Sequence, residues 1–382
     1  MPEQVTIQIE NPDHLAGKAI TGERIKVGDP GDYKPCVAKL PSGELLLTAF
    51  FPGAFWAGPR YKTREDILLF RSTDEGKSWS GPENLTVAKG LRGREPYFTI
   101  LADGTILMTV HFLADDVRNK TGYTRSFVHR SEDGGHSWTT TVAEPAGMKA
   151  GDTCCTTRNI LQLQDGSLML GISTKGTDGS WIWRSFDGGK TWPEKYQTRV
   201  EGLDETYPYN FYGEGFWWQT RSGKIYLIKR IDHIYAAKYF GDDLSEVDTQ
   251  HYSDQYNRMV LYETTDQAHT LHPVCTLGGL ALMYPAIIRL ADERLLLTFT
   301  VRAINEPLGL RAVIGEEYDD RLEFDLDRDR FMLDTQTASG VTSGGGFGPT
   351  VQLDDETLIS SYSWRDAEHV THMEVLRWHL PE

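Results

Sequence analysis

The sequence predicts an all-β chain that folds into a six-bladed β-propeller of four-stranded antiparallel blades. Three observations predict this fold: a short hairpin pattern that returns six times, an eight-residue motif that returns three times, and the near absence of helical periodicity. Repeats are explained first as architecture, because a chain does not carry one active site three times. Residues 1–382 are expected to form a single domain.

The hairpin pattern reads apolar-x-Asp-Gly-x-apolar in its clearest copies, "LADGTI" and "LQDGSL". It joins two apolar, β-branched runs, and its Gly supplies the positive φ of a two-residue hairpin turn. The six turn positions are 61, 62, 57, 70 and 63 residues apart, and they are Gly43, Gly104, Gly166, Gly223, Glu293 and Glu356. Six such units, each with a second hairpin, predict six blades in series.

The eight-residue motif S-x-D-x-G-x-x-W occurs at residues 72–79, 131–138 and 185–192. Its Ser and Asp side chains are suited to bond the backbone N–H groups of a turn, its Gly takes the strained φ, and its Trp packs beneath. The motif is therefore predicted to staple the turn between the third and fourth strands of a blade. This assigns a structural role to Asp74, Asp133 and Asp187.

The ring of blades is predicted to close through the N-terminus. The sixth blade shows only three evident strands, the last of them within "HMEVLRWHL". Residues 5–10, or the stretch near Ile25, are free to pair as its outer strand, which would cover an open sheet edge.

Composition excludes several classes of function. A net charge of −16 argues against binding of nucleic acid or of an anionic membrane, both of which require a basic face. The N-terminus has no signal-peptide pattern, and four cysteines make a poor disulfide framework, so a reducing compartment, the cytoplasm, is expected. The nearest approach to a metal-ligand pair is His269 with His272; neither a metal nor a cofactor is expected.

The three copies of the eight-residue motif are Asp boxes, also called BNR repeats, and the chain resembles the sialidase (neuraminidase) superfamily over about residues 30–380. The resemblance implies a funnel at the propeller axis, lined by the residues that open each innermost strand. In "DYKPC" it puts Lys34 where the family has the first arginine of a triad that grips the substrate carboxylate. In "GREPY" it puts Glu95 where the family has an acid/base aspartate.

The resemblance extends to the later blades. It implies that Glu214 and Arg230 match the family's glutamate and second arginine, and that Arg311 matches the third arginine. It puts Phe347 in the place of the nucleophilic tyrosine. Phe has no nucleophilic atom, and Lys34 is a point charge without the bidentate fork of Arg. The resemblance therefore implies the fold and an acidic-sugar ligand, with a departure at two functional positions.

The funnel lining can also be predicted from the strand pattern alone. Innermost strands open near Lys34, Arg94, Arg158, Glu214, Tyr284 and Phe347, and second strands end near Phe51, His111, Arg230, Arg302 and Arg365. Up to six cations near one axis would focus the field on an anionic ligand; alternatively, several point sideways into ion pairs between blades. If Lys34, Arg230 and Arg311 share one site, an anion is expected within hydrogen-bonding reach of at least two of them.

Glycoside hydrolysis requires a proton donor and a base or nucleophile. Glu95 is the predicted acid and Glu214 the predicted base, with a buried salt bridge to Arg230 as the alternative role of Glu214. A separation of about 6.5–9.5 Å between the two carboxyl groups, and hence inversion, is expected unless Tyr284 lies beside Glu214. The tyrosines that are candidates to replace the missing nucleophile are Tyr284, Tyr97, Tyr212 and Tyr362.

Three functions are consistent with these residues. The first is a glycoside hydrolase that removes a terminal, acidic sugar, as an exo-sialidase does. The second is a propeller polysaccharide lyase that acts on uronates with a Tyr or His base. The third is a carbohydrate-binding propeller whose catalytic set has decayed, for which Phe347 is the evidence. Turnover separates the first two from the third, and an unsaturated uronate product separates the lyase from the hydrolase.

Overall fold

The structure is a computed structural model, and it describes residues 2–18, 20–58, 60–84, 91–175, 179–200, 214–231, 257–303, 306–353 and 357–381. Strands dominate these ranges, and the helical segment within them is a 3-10 turn, Glu194–Tyr196. In the same ranges no helix is long and apolar enough to cross a membrane.

The first half of the chain forms two N-terminal strands and three blades. The N-terminal strands are β1 (Glu3–Glu10) and β2 (Ile20–Val27). The first blade contains β3 (Tyr33–Lys39), β4 (Leu45–Ala57), β5 (Arg60–Ser72) and β6 (Ser80–Asn84). The second contains β7 (Arg94–Ile100), β8 (Ile106–Phe112), β9 (Arg125–Ser131) and β10 (Thr139–Val142). The third contains β11 (Thr153–Thr156), β12 (Leu161–Gln162), β13 (Leu168–Lys175), β14 (Gly179–Ser185) and β15 (Gln197–Arg199).

The second half of the chain forms three more blades. The fourth contains β16 (Phe216–Gln219), β17 (Ile225–Ile231), β18 (Arg258–Thr264) and β19 (His272–Leu277). The fifth contains β20 (Leu282–Arg289), β21 (Leu295–Val301), β22 (Gly309–Glu317), β23 (Leu322–Phe324) and β24 (Arg330–Met332). The sixth contains β25 (Val351–Gln352), β26 (Thr357–Arg365) and β27 (Thr371–His379), with β2 outside them. The all-β fold of antiparallel blades agrees with the prediction from the sequence.

The core lies between blades rather than within one layer. All seven residues of β21 are buried, and so are the first six of β3, because a neighbouring blade packs on each face of these strands. In the sequence, such buried strands are largely continuous apolar runs. The outermost strand β10, in contrast, is mostly exposed. Burial on both faces holds the innermost strands at fixed positions around the axis.

The hairpins between first and second strands contain three-residue loops, so the prediction of two-residue turns was wrong. In the first blade Gly43 N–H donates to the Leu40 carbonyl at 2.9 Å, and Leu40 N–H donates to the Glu44 carbonyl at 2.8 Å. This is a turn followed by one left-handed residue, Gly43, whose φ is 88°. Glu293 adopts the same conformation, with φ 78°, in the fifth blade. The predicted turn at Glu356 lies outside the described residues.

The S-x-D-x-G-x-x-W turns are held by side-chain hydrogen bonds. In the first copy the Ser72 hydroxyl donates to Asp74 at 2.8 Å and accepts the Gly76 N–H at 2.8 Å. Asp74 also accepts the Ser78 N–H at 2.9 Å and the Ser78 hydroxyl at 2.6 Å. Burial opposes it, but these bonds lower the pKa of Asp74 to about 2. Asp133 and Asp187 accept the corresponding bonds from Ser137 and Thr191.

A fourth turn of this kind escaped the sequence analysis. The Thr264 hydroxyl donates to Asp266 at 2.7 Å and accepts the Ala268 N–H at 3.0 Å, and Asp266 accepts the Thr270 N–H at 2.9 Å. Ala268 replaces the motif glycine at a φ of 67°, and Leu271 stands where the others have Trp. Both replacements removed the letters by which the motif is recognised.

The N-terminal strands connect the fifth and sixth blades. Strand β2 pairs with β27 from Gly22 opposite Trp378 to Val27 opposite Met373, so the stretch near Ile25 forms the outer strand of the sixth blade. Strand β1 pairs with β2 on one side and with β24 on the other. A buried hydrogen-bond network fastens this closure: Arg24 Nε donates to the Tyr362 hydroxyl at 3.0 Å.

We expect Asp133→Ala to lower the free energy of unfolding by about 1–3 kcal/mol, because the change removes a shared acceptor of three hydrogen bonds in a surface turn. Urea unfolding followed by tryptophan fluorescence measures the difference. The matched control is Asp319→Ala, since the Asp319 carboxylate accepts no hydrogen bond from a described residue and only its carbonyl is bonded. Equal stabilities of the two variants would contradict a stapling role for the motif.

Candidate functional site

Four innermost strands open with the same backbone irregularity. Lys34, Glu95, Glu214 and Tyr284 have φ values of 53°, 54°, 66° and 59°. Pairing slips by a residue around three of them, in β3, β7 and β20, and Glu214 lies just before β16. The residue that follows is Pro in three cases and Gly215 in the fourth. The same left-handed residue therefore opens the first, second, fourth and fifth blades, and in the first, second and fifth it lies in a bulge.

This irregularity has a physical cost. A non-glycine residue in the left-handed region is disfavoured by about 1–2 kcal/mol, and such strain persists only where the surrounding structure imposes it. Here the packed inner strands impose it. As a result, four side chains from four different strands point to one place at the axis. Strain that recurs at equivalent positions and gathers charged groups indicates a functional site.

Lys34 is the centre of the cluster. Its Nζ lies 2.6 Å from Glu95 Oε1 and 3.4 Å from Glu214 Oε1. The same ammonium lies 4.8 Å from the ring centroid of Tyr284 and 4.9 Å from that of Phe347. Lys34 is only 3% exposed. A buried cation thus joins residues from the first, second, fourth, fifth and sixth blades.

Arginines surround the two glutamates. Arg94 Nη2 lies 3.4 Å from Glu95 Oε1, and its Nη1 lies 3.6 Å from Glu65 Oε1. Arg230 forms a close ion pair with Glu214 through Nη1 and Oε2. These contacts bring Lys34, Arg94, Arg230 and both glutamates together, as the strand openings and strand ends predict.

The charges keep both glutamates ionised. Burial alone would raise the pKa of Glu95, but Lys34 and Arg94 hold it far below its usual value. Burial is likewise outweighed at Glu214, whose pKa Arg230 and Lys34 lower. The neighbours of Glu95, the predicted acid, are therefore cations, which favour its ionised form in the ligand-free site.

The shared lysine also limits the distance between one oxygen of Glu95 and one oxygen of Glu214. Glu95 Oε1 and Glu214 Oε1 both contact Lys34 Nζ, so they lie at most about 6 Å apart, the sum of the two contact distances. That is below the 6.5–9.5 Å range of inverting pairs. The shared lysine draws the carboxylates together, and the ligand-free geometry gives no support for inversion. The predicted Glu214–Arg230 salt bridge is present, but it lies within this cluster.

The aromatic residues of the funnel are packed below the charges. Phe347 is 1% exposed, and its ring centroid lies 5.7 Å from Tyr284 and 5.9 Å from Tyr97. Arg158 Nη1 donates to the Phe347 carbonyl at 2.6 Å and its Nη2 to the Pro285 carbonyl, so Arg158 ties three blades together through backbone oxygens. Its contacts are structural ones.

The tyrosines predicted to replace Phe347 differ in position. Tyr284 lies within the cluster, and burial raises its pKa to about 12. The Tyr97 hydroxyl is buried without a hydrogen-bond partner. Tyr362 donates to Glu374 at 2.8 Å in the closure network of the sixth blade. Tyr212 lies outside the described residues.

Arg311 is not part of the cluster, which corrects its assignment as a substrate-binding arginine. It lies on β22, the third strand of the fifth blade, and is 1% exposed. Its Nε contacts Glu10 Oε2 at 3.3 Å, and its other donors reach the carbonyls of Pro307 and Asp334. It binds strand β1 to the fifth blade, so of the three cations expected to share one anion site only Lys34 and Arg230 meet, at Glu214.

Two other arginines occupy the funnel from the fifth and sixth blades. Arg302 Nη1 donates to the Tyr33 hydroxyl at 3.2 Å, and its guanidinium lies 5.5 Å from the Tyr284 ring centroid. The Arg365 guanidinium lies 5.1 Å from the ring centroid of Tyr33. Arg302 follows β21 directly and Arg365 is the last residue of β26, so both lie where second strands end, as predicted. Phe51, predicted to lie near the end of the second strand of the first blade, lies within β4, which continues to Ala57, and is 45% exposed.

His111 contacts the cluster through Glu95. Its Nδ1 lies 3.8 Å from Glu95 Oε2, and its Nε2 accepts the Thr156 N–H at 3.3 Å, which places the ring proton on Nδ1. Burial lowers the pKa of His111 although Glu95 opposes that effect. His111 is therefore a neutral neighbour of Glu95.

Sequence reasoning missed Tyr33 and Glu65. Tyr33 directly precedes Lys34, and the Lys-Pro bulge was the signal that its strand start faces the funnel. Glu65 lies in β5, where no pattern marks it; burial raises its pKa to about 7 even though Arg94 lowers it. Among the described residues, no group of three His, Cys, Asp or Glu side chains is placed to hold a metal ion.

Residues 29–297 match the family model of the BNR repeat-like domain, which is more than half of the chain. The chain belongs to the BNR repeat-like family. A sialidase of Bacteroides fragilis is 26% identical to it over 141 residues, which are 35% of this chain and 23% of that protein. The match thus spans about a quarter of the relative's length.

Solved structures share the propeller over nearly the whole BNR repeat-like chain. A protein of unknown function from Dyadobacter fermentans superposes with a TM-score of 0.61 at 18% identity, covering 99% of both chains. The leech intramolecular trans-sialidase, solved with 2,7-anhydro-Neu5Ac, superposes with a TM-score of 0.61 at 12% identity, covering 91% of this chain and 67% of that one. At these identities the likeness establishes the sialidase-type fold.

We expect Lys34→Met to lower the free energy of unfolding by about 3–5 kcal/mol at pH 7, because two buried carboxylates lose their shared cation. Glu95 and Glu214 have depressed pKa values, so they stabilise the fold above the unfolded value of about 4.3 and lose that contribution as the pH falls through the folded values. The difference between variant and wild type should therefore shrink towards pH 4.

Urea unfolding at pH 7, 5.5 and 4 measures this dependence. Lys77→Met is the control, since Lys77 forms an exposed ion pair with Glu75 at 2.9 Å and should contribute less than about 1 kcal/mol at every pH. A Lys34→Met variant as stable as wild type at pH 7 would show that the axis cluster is not held by this lysine.

Proposed function

We propose that this BNR repeat-like protein is a glycoside hydrolase that releases a terminal acidic sugar from an oligosaccharide. The observation that carries the proposal is the meeting of Lys34, Glu95, Glu214 and Tyr284 at one point, each from a strand opening in the strained left-handed conformation. A fold alone does not imply an activity, so the proposal rests on this constellation. The sialidases among the similar structures are consistent with it.

The charge distribution favours an anionic substrate. The chain carries a net charge of −16, yet Lys34, Arg94, Arg302 and Arg365 lie around the funnel. Cations gathered in a low-dielectric cleft of an acidic protein attract an anion specifically to that cleft. A sugar carboxylate is the anion that a propeller glycosidase of this type would bind.

Binding of a carboxylate would also supply the missing acid. Lys34 and Arg94 hold Glu95 ionised in the ligand-free site. A substrate carboxylate that takes their hydrogen bonds adds negative charge beside Glu95, and like charges raise a carboxyl pKa. Glu95 then gains a proton and donates it to the leaving oxygen, while Glu214 remains ionised against Arg230.

A carbohydrate-binding function is the second candidate, and Phe347 is the observation that favours it. This residue takes the position of the family's tyrosine, and its buried ring packs between Tyr284 and Tyr97. In a binding protein the cations would hold an acidic sugar without turnover.

The test is a panel of 4-nitrophenyl and methyl glycosides of sialic acid, glucuronic acid and neutral sugars. We expect cleavage of an acidic member. With the methyl glycoside, whose leaving group needs a proton, Glu95→Gln should lower kcat/KM about 100-fold or more, and with the 4-nitrophenyl glycoside it should lower kcat/KM much less. Glu214→Gln should lower kcat with both.

Glu44→Gln is the control, because Glu44 pairs with Arg71 at an outer turn and should leave kcat unchanged. If wild type cleaves no glycoside but binds sialic or glucuronic acid, the binding function replaces the proposed hydrolase. A product that absorbs in the near ultraviolet as an unsaturated uronate would indicate a lyase.

A further inference from the structure

A phenol lies beside the axis lysine in a position that no sequence motif marks. Tyr33 begins β3 and is 7% exposed. Its hydroxyl accepts a hydrogen bond from Arg302 Nη1 at 3.2 Å. The Arg365 guanidinium lies 5.1 Å from its ring centroid, and the Lys34 ammonium lies 5.6 Å from it. Three cations from three blades therefore meet one tyrosine.

The phenol and its arginines are fixed in place. The Tyr33 ring packs against Phe50, with the centroids 5.6 Å apart. Arg302 is held by the Ser343 carbonyl at 2.6 Å, and Arg365 by the Thr342 hydroxyl at 2.7 Å. A hydrogen-bond donor that is already oriented stabilises negative charge without further reorganisation.

The groups that face Tyr33 are cationic or neutral. They are Lys34 from its own strand, Arg302 and Arg365 from the fifth and sixth blades, and the neutral phenol of Tyr284. Arg94 lies over the ring of Phe50, which packs against Tyr33. The preceding carboxylate, Asp32, accepts the Asp29 N–H at 2.9 Å. Burial would raise the pKa of Tyr33, but Arg302, Lys34 and Arg365 lower it to about 8.

The other tyrosines of the funnel lack this environment. Burial raises the pKa of Tyr284 to about 12 and that of Tyr97 well above its usual value. The Tyr362 hydroxyl donates a hydrogen bond to the buried carboxylate of Glu374, which disfavours the phenolate. Among these phenols, Tyr33 is the one whose anion the surroundings stabilise.

We propose that Tyr33 is the nucleophile of the site, an inference that rests on the proposed glycosidase function. Its phenolate oxygen forms a bond to the anomeric carbon, and the bond from that carbon to the leaving oxygen breaks with both electrons on the leaving oxygen. Protonated Glu95 donates its proton to that oxygen, and an alcohol departs. Water then attacks the anomeric carbon, gives a proton to Glu95, and releases the Tyr33 phenolate.

Two consequences follow from this sequence. Two successive displacements at one carbon retain its configuration, so the first sugar product should have the anomeric configuration of the substrate. The nucleophile is supplied from the first blade next to Lys34, which accounts for a phenylalanine at position 347: the phenol has moved to a neighbouring strand opening.

The first experiment is an ultraviolet titration of tyrosine ionisation at 295 nm, from pH 6 to 11, on wild type and Tyr33→Phe. We expect one tyrosine of wild type to ionise near pH 8 and this step to be lost in Tyr33→Phe. Tyr226→Phe is the control, because Tyr226 is a buried tyrosine of β17 that donates to the Asp320 carbonyl, and its loss should leave the step intact. Absence of the step in wild type, or its persistence in Tyr33→Phe, overturns the proposal.

The second experiment measures hydrolysis of whichever 4-nitrophenyl glycoside wild type cleaves. Tyr33→Phe should lower kcat at least about a thousandfold with an unchanged melting temperature, while Tyr226→Phe should keep wild-type kcat. In wild type kcat/KM should rise up to about pH 8, and proton NMR should show the retained anomer first. Substantial activity in Tyr33→Phe, or the inverted anomer, overturns the proposal.

These outcomes separate the two proposals. If wild type cleaves no glycoside, the hydrolase function and the catalytic role of Tyr33 both fail, even where the titration shows a low-pKa phenol. If wild type is active and Tyr33→Phe is equally active, only the role of Tyr33 fails.

Discussion

The charge of Lys34 is the constraint on which the rest of the site depends. Its ammonium lies between Glu95 and Glu214 and over the rings of Tyr284 and Phe347. Two buried carboxylates within about 6 Å of each other would not both stay ionised without such a cation. A lysine is suited to this position because it is a compact point charge that several partners can share, whereas a planar guanidinium would pair with one carboxylate in a fixed fork.

The fold tolerates the strained left-handed residues at the axis because contacts away from the axis stabilise the blades. The S-x-D-x-G-x-x-W turns at the outer ends of blades satisfy their own backbone groups, as the bonds of Asp74 to Ser78 illustrate. Strand β2 covers the edge of β27, and Arg311 fastens β1 to the fifth blade through Glu10. The packed blades can then hold several residues in the left-handed region at the axis. Function and stability thus lie at opposite ends of each blade.

Much of the fold could be predicted because the same turns recur along the chain, and the residues that form the hydrogen bonds of each turn lie close together in the sequence. The strand openings likewise identified Lys34, Glu95 and Glu214, since the start of an apolar run ahead of each hairpin turn is visible in the sequence. The direction of a side chain on a third strand is not visible, and so Arg311 was assigned to the funnel although it faces β1. The protonation of Glu95 and the distance between the two glutamates depend on Lys34, which contacts both from another blade. The spacing of these residues in the sequence does not reveal such a contact. Tyr33 was missed for the same reason, because its arginines come from distant blades.

The most direct measurement is a crystal structure of the protein soaked with sialic acid, compared with the ligand-free crystal. If Lys34 organises an anionic-sugar site, the ligand-free crystal will show its ammonium between Glu95 and Glu214, and the soaked crystal will show the sugar carboxylate within about 3 Å of Lys34, Arg94 or Arg302. A ligand-free crystal in which Lys34 points away from both glutamates, or a sugar bound outside the funnel while the cluster stays unchanged, would contradict the account.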